Sequence, residues 1–366
     1  MEFLLQNYRF SLGSHGDKNV IWIDFPNELS LRNQLKAHFT SVKFSWTQKR
    51  WYLPDTVVLR ERVGIAPRSV MACLDLTHIS EANQHALMRM HETLLLKSYS
   101  TNTLKTYLME MAQLLSIIKN VEVDSLSPDR LRSYFLYCTQ TLKLSEATIH
   151  SRMNAVKFYF EQVLMRDKMM FEQIPRPKLK AQLPKVLSKN EVARLFQQVS
   201  NPKHQLILKL CYGMGLRVSE ISGLKITHID SGRMMVLIEN SKGKKDRYVP
   251  LPQTVLDDLR EYYKQYQPKE YLFEGLYGGS YSVRSIQSVF KTAMRKAKIN
   301  KTIGIHGLRH SYATHLMEAG TDLVFIQQLM GHKDVKTTQI YAKVTEKQLV
   351  KVKSPLDNLP NVDKQS

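Results

Sequence analysis

Residues 306–341 read HGLRHSYATHLMEAGTDLVFIQQLMGHKDVKTTQIY, and the rest of the chain is organised around them. The pattern predicts a first helix over 308–319, ending at Gly320, because glycine takes φ > 0 without penalty. A second helix starts at Thr321 or Asp322, either of which can cap free N–H groups, and stops at Gly331. Its apolar residues Val324, Phe325, Ile326, Leu329 and Met330 predict a buried helix. His306 and Arg309 therefore sit at a helix start, and His332 directly follows a helix end.

That placement suits phosphate chemistry. A helix N-terminus favours anions, and an arginine fork holds two phosphate oxygens at once. Tyr341 lies downstream and carries a hydroxyl that can act as a nucleophile. Taken singly these signals are weak. His-x-x-Arg arises often by chance, and a tyrosine at helical spacing is usually a packing residue.

In combination the residues are specific. The stretch resembles the carboxy-terminal signature of the tyrosine recombinases, the phage integrase and Xer-like family. That signature runs His-x-x-Arg-His, Ala-x-His-Leu, a Leu-Gly-His-like box and a following Tyr. Here the elements are His306-Gly-Leu-Arg309-His310, Ala313-Thr-His315-Leu316, Leu329-Met-Gly331-His332 and Tyr341. The resemblance implies a mainly α protein with small β elements, built from a helical core-binding bundle and a mixed α/β catalytic domain. A small α+β amino-terminal domain precedes them.

Composition agrees with a polyanionic partner. The 366 residues suffice for two or three domains with real cores. The formal charge is +20, and residues 171–366 hold 32 Lys and Arg against 17 Asp and Glu. A basic surface of that size points to nucleic acid, here double-stranded DNA. Cys73, Cys138 and Cys211 are odd in number and scattered, which argues against a disulfide framework or a zinc cluster. The His residues lack HExxH spacing, so no metal is expected. No apolar run reaches membrane-spanning length and no signal peptide is evident, so a cytoplasmic protein without a membrane partner is expected.

Residues 1–78 read as a β-α-β-β accessory domain. NVIWIDF (19–25) is strand-like, 28–39 carries Leu31, Leu35 and Phe39 at helical spacing, and 42–54 alternates as a hairpin. The unit is expected to bury two tryptophans, and residues 60–68 to form an exposed tether. In many relatives such additions hold accessory DNA sites; a scaffold or protein-contact domain is the alternative reading.

Residues 79–168 read as a four-helix bundle over 79–97, 101–118, 128–142 and 145–165. It resembles the family's core-binding (SAM-like) domain, with Lys97, Lys105, Arg152 and Lys157 as candidate phosphate contacts. Residues 169–187 form a linker whose prolines block helix. There Lys178, Lys180 and Lys185 would ride along the DNA backbone.

The catalytic domain spans 188–347. Ser188 and Glu191 form a capping-box pattern. Gly215-Leu-Arg217-Val-Ser-Glu220 matches the family's first arginine box, with Glu220 orienting an arginine or histidine. A hairpin with its turn at SKGKKD carries Lys242 at the position of the family's catalytic lysine, beside Lys244 and Lys245 as further DNA contacts. Arg284, Lys291 and Arg295 follow on a predicted helix as DNA contacts.

The resemblance implies strand exchange through a 3′-phosphotyrosyl intermediate. Tyr341 attacks the scissile phosphate, Arg217 and Arg309 bind its non-bridging oxygens, and Lys242 protonates the departing 5′ oxygen. His306 serves as acid/base toward the tyrosine proton, and His332 bonds the phosphate or buttresses the site. His310 and His315 read as helix-packing or rim groups. No cofactor is needed, because the covalent bond retains the phosphodiester energy.

The family also implies a monomer in solution, a homotetramer on synapsed DNA, and a host DNA-bending factor as an accessory partner. The extra amino-terminal domain favours the integrase of a mobile element. An Xer-like dimer resolvase and a type IB topoisomerase-like nicking-closing enzyme are the alternatives. The tail, 348–366, is read as either a disordered end or a segment docking on a neighbouring subunit.

Overall fold

The computed structural model describes residues 3–74, 76–166, 174–178, 184–241, 245–332 and 334–342. Their contacts gather into two compact units, one formed by 1–54 with 182–366 and the other by 55–181. The described residues are mainly helical with two small sheets, as expected.

At the amino terminus β1 (Arg9–His15), β2 (Lys18–Asp24), β3 (Lys43–Ser45) and β4 (Arg50–Pro54) form one antiparallel sheet in the order β1-β2-β4-β3. Helix α1 (Leu29–His38) lies between β2 and β3 in sequence. The unit is therefore ββαββ, one strand richer than expected. RFSLGSH has the alternation of a strand, and Gly16 at φ +59° supplies the tight turn into β2.

Strand pairing places Phe10, Leu12, Ile21, Ile23, Trp51 and Leu53 on one face. The Phe39 ring at the end of α1 meets Phe10 edge-on there, and Lys36 lies over Trp51. Only one of the two tryptophans expected inside is buried. Trp22 is covered, Trp51 is half-buried, and Trp46 is 84% exposed at the hairpin tip.

The second unit begins with α2 (Val57–Arg62), capped by the Thr56 hydroxyl on the Leu59 N–H. Residues expected to form an exposed tether are folded here. Arg60 is buried and forks onto Asp55, which Arg68 also contacts at 2.6 Å. These hydrogen bonds, Arg60's first, hold the Asp55 carboxyl below its ordinary range against the effect of burial.

The bundle itself consists of α3 (Glu81–Leu96), α4 (Thr101–Ile118), α5 (Pro128–Gln140) and α6 (Glu146–Phe158). Helix α6 runs on into one wide π-turn, Tyr159–Val163. Serines cap three of these helices: Ser100, Ser127 and Ser145 each accept from the N–H three residues on. Their apolar stripes meet in a core that includes Leu87, Met90, Leu108, Met111, Leu131 and Met153. Buried Asn83 ties the α4–α5 connection down, donating to the Lys119 and Val121 carbonyls and accepting from the Val123 N–H.

Arg152 requires a correction. It was expected on the DNA-facing surface, yet it is 5% exposed inside the bundle, with Nε donating to Glu110 at 2.8 Å. Its position on α6 belongs to the inward stripe with Ile149, Met153 and Val156, so it is a core ion pair rather than a phosphate contact.

The carboxy-terminal part starts with α7 (Lys189–Gln197), whose capping box joins Ser188 and Glu191 in both directions. It continues through α8 (Pro202–Gly213) and α9 (Val218–Gly223) to a sheet of β5 (Ile229–Asp230), β6 (Met235–Ser241) and β7 (Lys245–Pro250). Then come α10 (Gln253–Tyr266), α11 (Val283–Lys296), α12 (His306–Glu318), α13 (Leu323–Met330) and α14 (Lys336–Ala342).

One core unites α7 to α11 with the sheet and the start of α12. A smaller cluster of Ala313, Met317, Ile326, Met330 and Tyr341 joins α12, α13 and α14. Helix α13 is less buried than its composition predicts: Ile326 and Met330 are inside, but Val324 and Phe325 are 56% and 62% exposed.

Removing the acid from the buried pair in the bundle leaves an uncompensated charge. Glu110→Ala is expected to destabilise the protein by about 3–5 kcal/mol, whereas Lys105→Ala on the same helix should cost under about 0.5 kcal/mol. Urea denaturation of the two variants checks the contrast.

Candidate active site

Helix α13 ends at Gly331, which takes φ +60° and so turns the chain away from the helix. The last carbonyls of any helix lack intrahelical partners and carry partial negative charge. Here three arginines from three different segments fill that role in succession. Arg247 Nε donates to the Leu329 carbonyl, Arg309 Nη2 to Met330, and Arg217 Nη2 to Gly331 at 3.1 Å.

Three guanidinium groups so close repel one another, and Glu220 offsets this. Its carboxylate accepts both Arg247 Nη atoms at 2.8 Å, Arg217 Nη1 at 2.7 Å and the Arg217 N–H at 2.8 Å. Arg309 stands 3.9 Å from it. Burial alone would raise this carboxyl. The two arginines outweigh burial, Arg247 foremost, and hold it at about 2. Glu220 thus orients an arginine as anticipated, and it orients two.

Arg217 sits where the sequence put it, at the start of α9, with its side chain still 16% exposed. Arg309 is 3% exposed, and its guanidinium also reaches the Gly215 carbonyl. Burial first, then the charge of Arg217, lowers its pKa to about 10, so it remains a cation at neutral pH.

His332 follows directly. Its Nε2 is 3.3 Å from Arg309 Nη2, which can only donate, so Nε2 is the acceptor. Nδ1 then carries the proton and donates to Thr338 Oγ1 at 2.9 Å. Burial, then Arg309 and Arg217, pushes this imidazole down to about 4 and keeps it neutral.

Tyr341 on α14 is 1% exposed, and its ring stacks at 16° over His332. Burial raises its phenol above the ordinary value, although Arg309 and Arg217 pull the other way. His310 Nδ1 lies 2.8 Å from Tyr341 Oη. His306 opens α12 one turn earlier, its ring centroid 6.5 Å from that of His310. Although His306 is exposed as a residue, crowding around its ring, then Arg309 and Arg217, lowers its pKa as well.

The structure therefore brings together Arg217, His306, Arg309, His332 and Tyr341. Lys242, Lys244 and Lys180 lie outside the described residues, as does the side chain of Lys245. Among the surface candidates Lys105, Lys178, Arg284, Lys291 and Arg295 are exposed. Lys97 bonds Gln162 at 2.7 Å, Lys157 pairs with Glu161 at 3.4 Å, and Lys185 donates to the Thr302 carbonyl at 3.2 Å.

Two residues of the site escaped the sequence reading. Arg247 looked like part of a strand, but it shares its face with buried Val249, and an arginine on an inward face implies a carboxylate partner. His310 was read as a packing group. Its place one helical turn after His306 puts both on one face. His315 does pack as read, with Nδ1 2.9 Å from the Tyr212 hydroxyl.

Comparison with known proteins settles the family. Residues 185–348 match the model of the phage integrase family, and residues 87–168 that of the phage integrase N-terminal SAM-like domain. An integrase/recombinase of Sinorhizobium fredii is 37% identical over 273 residues, covering 74% of this chain and 88% of that protein. The chain belongs to the phage integrase family of tyrosine recombinases. These are enzymes that cut and join DNA.

Tyrosine recombinase XerA of Thermococcus kodakarensis is 37% identical over 213 residues, 57% of this chain and 74% of that protein. A lambda integrase dimer bound to a core site shares the fold, with a TM-score of 0.59 at 16% identity over 70% of this chain and 94% of that one. Among the described residues of this recombinase no helix is long and apolar enough to cross a membrane.

Glu220 should dominate the stability of the site. Its carboxyl titrates lower in the fold than in an unfolded chain, where glutamate lies near ~4.3. Its contribution is thus complete above that value and is lost as pH falls toward about 2. Glu220→Gln should cost about 3–5 kcal/mol at neutral pH, because two buried arginines lose their counter-charge. That penalty should shrink in acid, as thermal unfolding of both proteins between neutral pH and pH ~3 will show.

Proposed function

We propose that this recombinase breaks and reseals double-stranded DNA at a specific site through a 3′-phosphotyrosyl bond to Tyr341, as the integrase of a mobile element. The observation that carries the reading is the clustering of Arg217, Arg309 and His332 at the carboxyl end of α13, with the Tyr341 ring stacked over His332. A scissile phosphate gains negative charge as it becomes pentacovalent, and pre-arranged guanidinium forks stabilise that charge without reorganising.

Each group has a distinct task. Tyr341 Oη attacks phosphorus, and the 5′ oxygen departs with a proton from Lys242, assigned by its position in the family motif. Arg217 and Arg309 bind the non-bridging oxygens. His332, accepting from Arg309, keeps that guanidinium aimed. Rejoining reverses the steps, with a 5′-hydroxyl attacking the phosphotyrosine.

The helical unit and the linker are assigned to gripping DNA, with Lys97, Lys105, Lys178 and Lys185 toward the backbone. Four subunits on synapsed DNA, each a monomer beforehand, are the assembly this chemistry requires for strand exchange, and a host bending factor fits a site needing sharp DNA curvature.

The amino-terminal module favours the integrase reading. It carries a cleft of about 760 Å³ lined by Phe44, Trp46 and Trp51 with Arg32, Lys36 and Lys49 around it, a surface suited to an accessory DNA segment. The similarity to XerA supports a resolvase of chromosome or plasmid dimers as the second reading.

The substrate for testing is a nicked duplex recovered from a randomised pool by covalent capture with the native chain. Tyr341→Phe should bind that DNA and form no adduct on a denaturing gel. Lys242→Ala should form adduct about 10²–10⁴-fold more slowly. It should regain most of that loss when the leaving oxygen is replaced by sulfur, since a thiolate departs without a proton. An adduct in Tyr341→Phe would move the nucleophile elsewhere.

A further inference from the structure

The nucleophile of a phosphotyrosyl transfer must lose a proton as it attacks, and the fold places a specific acceptor beside it. His310 Nδ1 is 2.8 Å from Tyr341 Oη, within hydrogen-bond reach of the proton it would take. Both partners are fixed by rigid elements. His310 lies in the first turns of α12, directly after buried Arg309, and Tyr341 belongs to the cluster that packs α12, α13 and α14 together.

We propose that His310 takes the Tyr341 proton when Oη attacks the scissile phosphorus, a role the family resemblance had given to His306. This rests on Tyr341 being the nucleophile.

The protonation states before reaction agree with the assignment. Burial, then the charges of His306 and Arg309, pushes His310 down to about 4, while burial holds the Tyr341 phenol above its ordinary value. The proton therefore starts on the phenol, and a neutral imidazole with its hydrogen on Nε2 presents its lone pair at Nδ1 to that proton. Incoming phosphate counters the cationic charge of Arg309, which is one of the groups depressing His310, so basicity rises when it is needed.

The step balances. Oη forms a bond to phosphorus as its hydrogen passes to Nδ1, giving an imidazolium. The bond from phosphorus to the 5′ oxygen breaks, and that oxygen leaves with a proton from the ammonium assigned to Lys242. On rejoining, the 5′-hydroxyl returns its proton to the amine, phosphorus releases Oη, and the imidazolium protonates the departing phenolate.

The neighbouring side chains explain why a histidine can serve here. Arg309 is engaged with the Gly215 and Met330 carbonyls, and His332 spends its Nε2 lone pair on Arg309. Neither can accept the phenol proton in this arrangement.

Three variants test the proposal on the captured nicked duplex. His310→Asn keeps an oxygen near the position of Nδ1 that can accept a hydrogen bond but not a proton. It should bind DNA as the native chain does and form adduct about 10²–10⁴-fold more slowly. His310→Ala should lose a similar factor and recover part of it in added imidazole, with His306→Ala gaining nothing from imidazole.

Adduct formation by His310→Asn at the native rate would reduce His310 to a positioning residue and overturn the proposal. So would rescue of His306→Ala by imidazole without rescue of His310→Ala. Tyr341→Phe on the same duplex separates this from the underlying reading. An adduct there overturns the nucleophile, whereas fast cleavage by His310→Asn with none in Tyr341→Phe overturns only the proton acceptor.

Discussion

The capture of three guanidinium groups at the carboxyl end of α13 is the constraint on which the site depends. Arg217, Arg247 and Arg309 come from positions up to 92 residues apart in the chain and would repel one another if merely packed together. The helix-end carbonyls of Leu329, Met330 and Gly331 give each a partner, and Glu220 supplies a full negative charge between them. The arrangement is costly to build and rigid once built, because every donor it uses is fixed by backbone or by a buried carboxylate. A phosphate entering it meets charge already in place.

The same cluster sets the chemistry of the histidines. His306, His310 and His332 are all held below their ordinary pKa by burial first; arginine charges come next at His306 and His332, while at His310 the neighbouring His306 comes before Arg309. They are therefore neutral before DNA arrives, with lone pairs available. His332 turns its lone pair toward Arg309 and His310 turns Nδ1 toward Tyr341, so the two rings do different work within one electrostatic field. An anion bound beside the arginines would counter part of that field and raise the basicity of these rings.

Much of this was legible in the sequence for physical reasons. A glycine that follows an apolar helical stripe supplies the φ > 0 that ends a helix, so the limits of α12 and α13 at Gly320 and Gly331 were readable to within a residue or two. Apolar periodicity gave α4 to its ends. What failed was reading side-chain partners from periodicity. Arg152 falls on the inward stripe of α6, yet a charged residue is read as exposed unless its partner is known, and Glu110 lies 42 positions earlier. Val324 and Phe325 failed the opposite way, being apolar and exposed, since hydropathy shows what a residue tolerates and not what covers it. β1 was missed because its alternation is diluted by glycine and serine, and the Gly16 turn was the stronger cue.

The two glycines of the site explain why its separate sequence boxes belong together. Gly215 takes φ +62°, and a Cβ there would strike the Tyr312 ring at 2.5 Å. Gly331 takes φ +60°, and a Cβ there would press on the Arg247 side chain at 3.0 Å. Each glycine presents its carbonyl to the arginine of the other box: Gly215 to Arg309, and Gly331 to Arg217. The Gly-Leu-Arg segment therefore positions the arginine of the His-Gly-Leu-Arg segment, and the Met-Gly-His segment positions the first arginine. A side chain at either glycine would displace the guanidinium held by its carbonyl while leaving both arginines present. The site is thus specified by backbone conformation at two points as much as by the side chains that act in it.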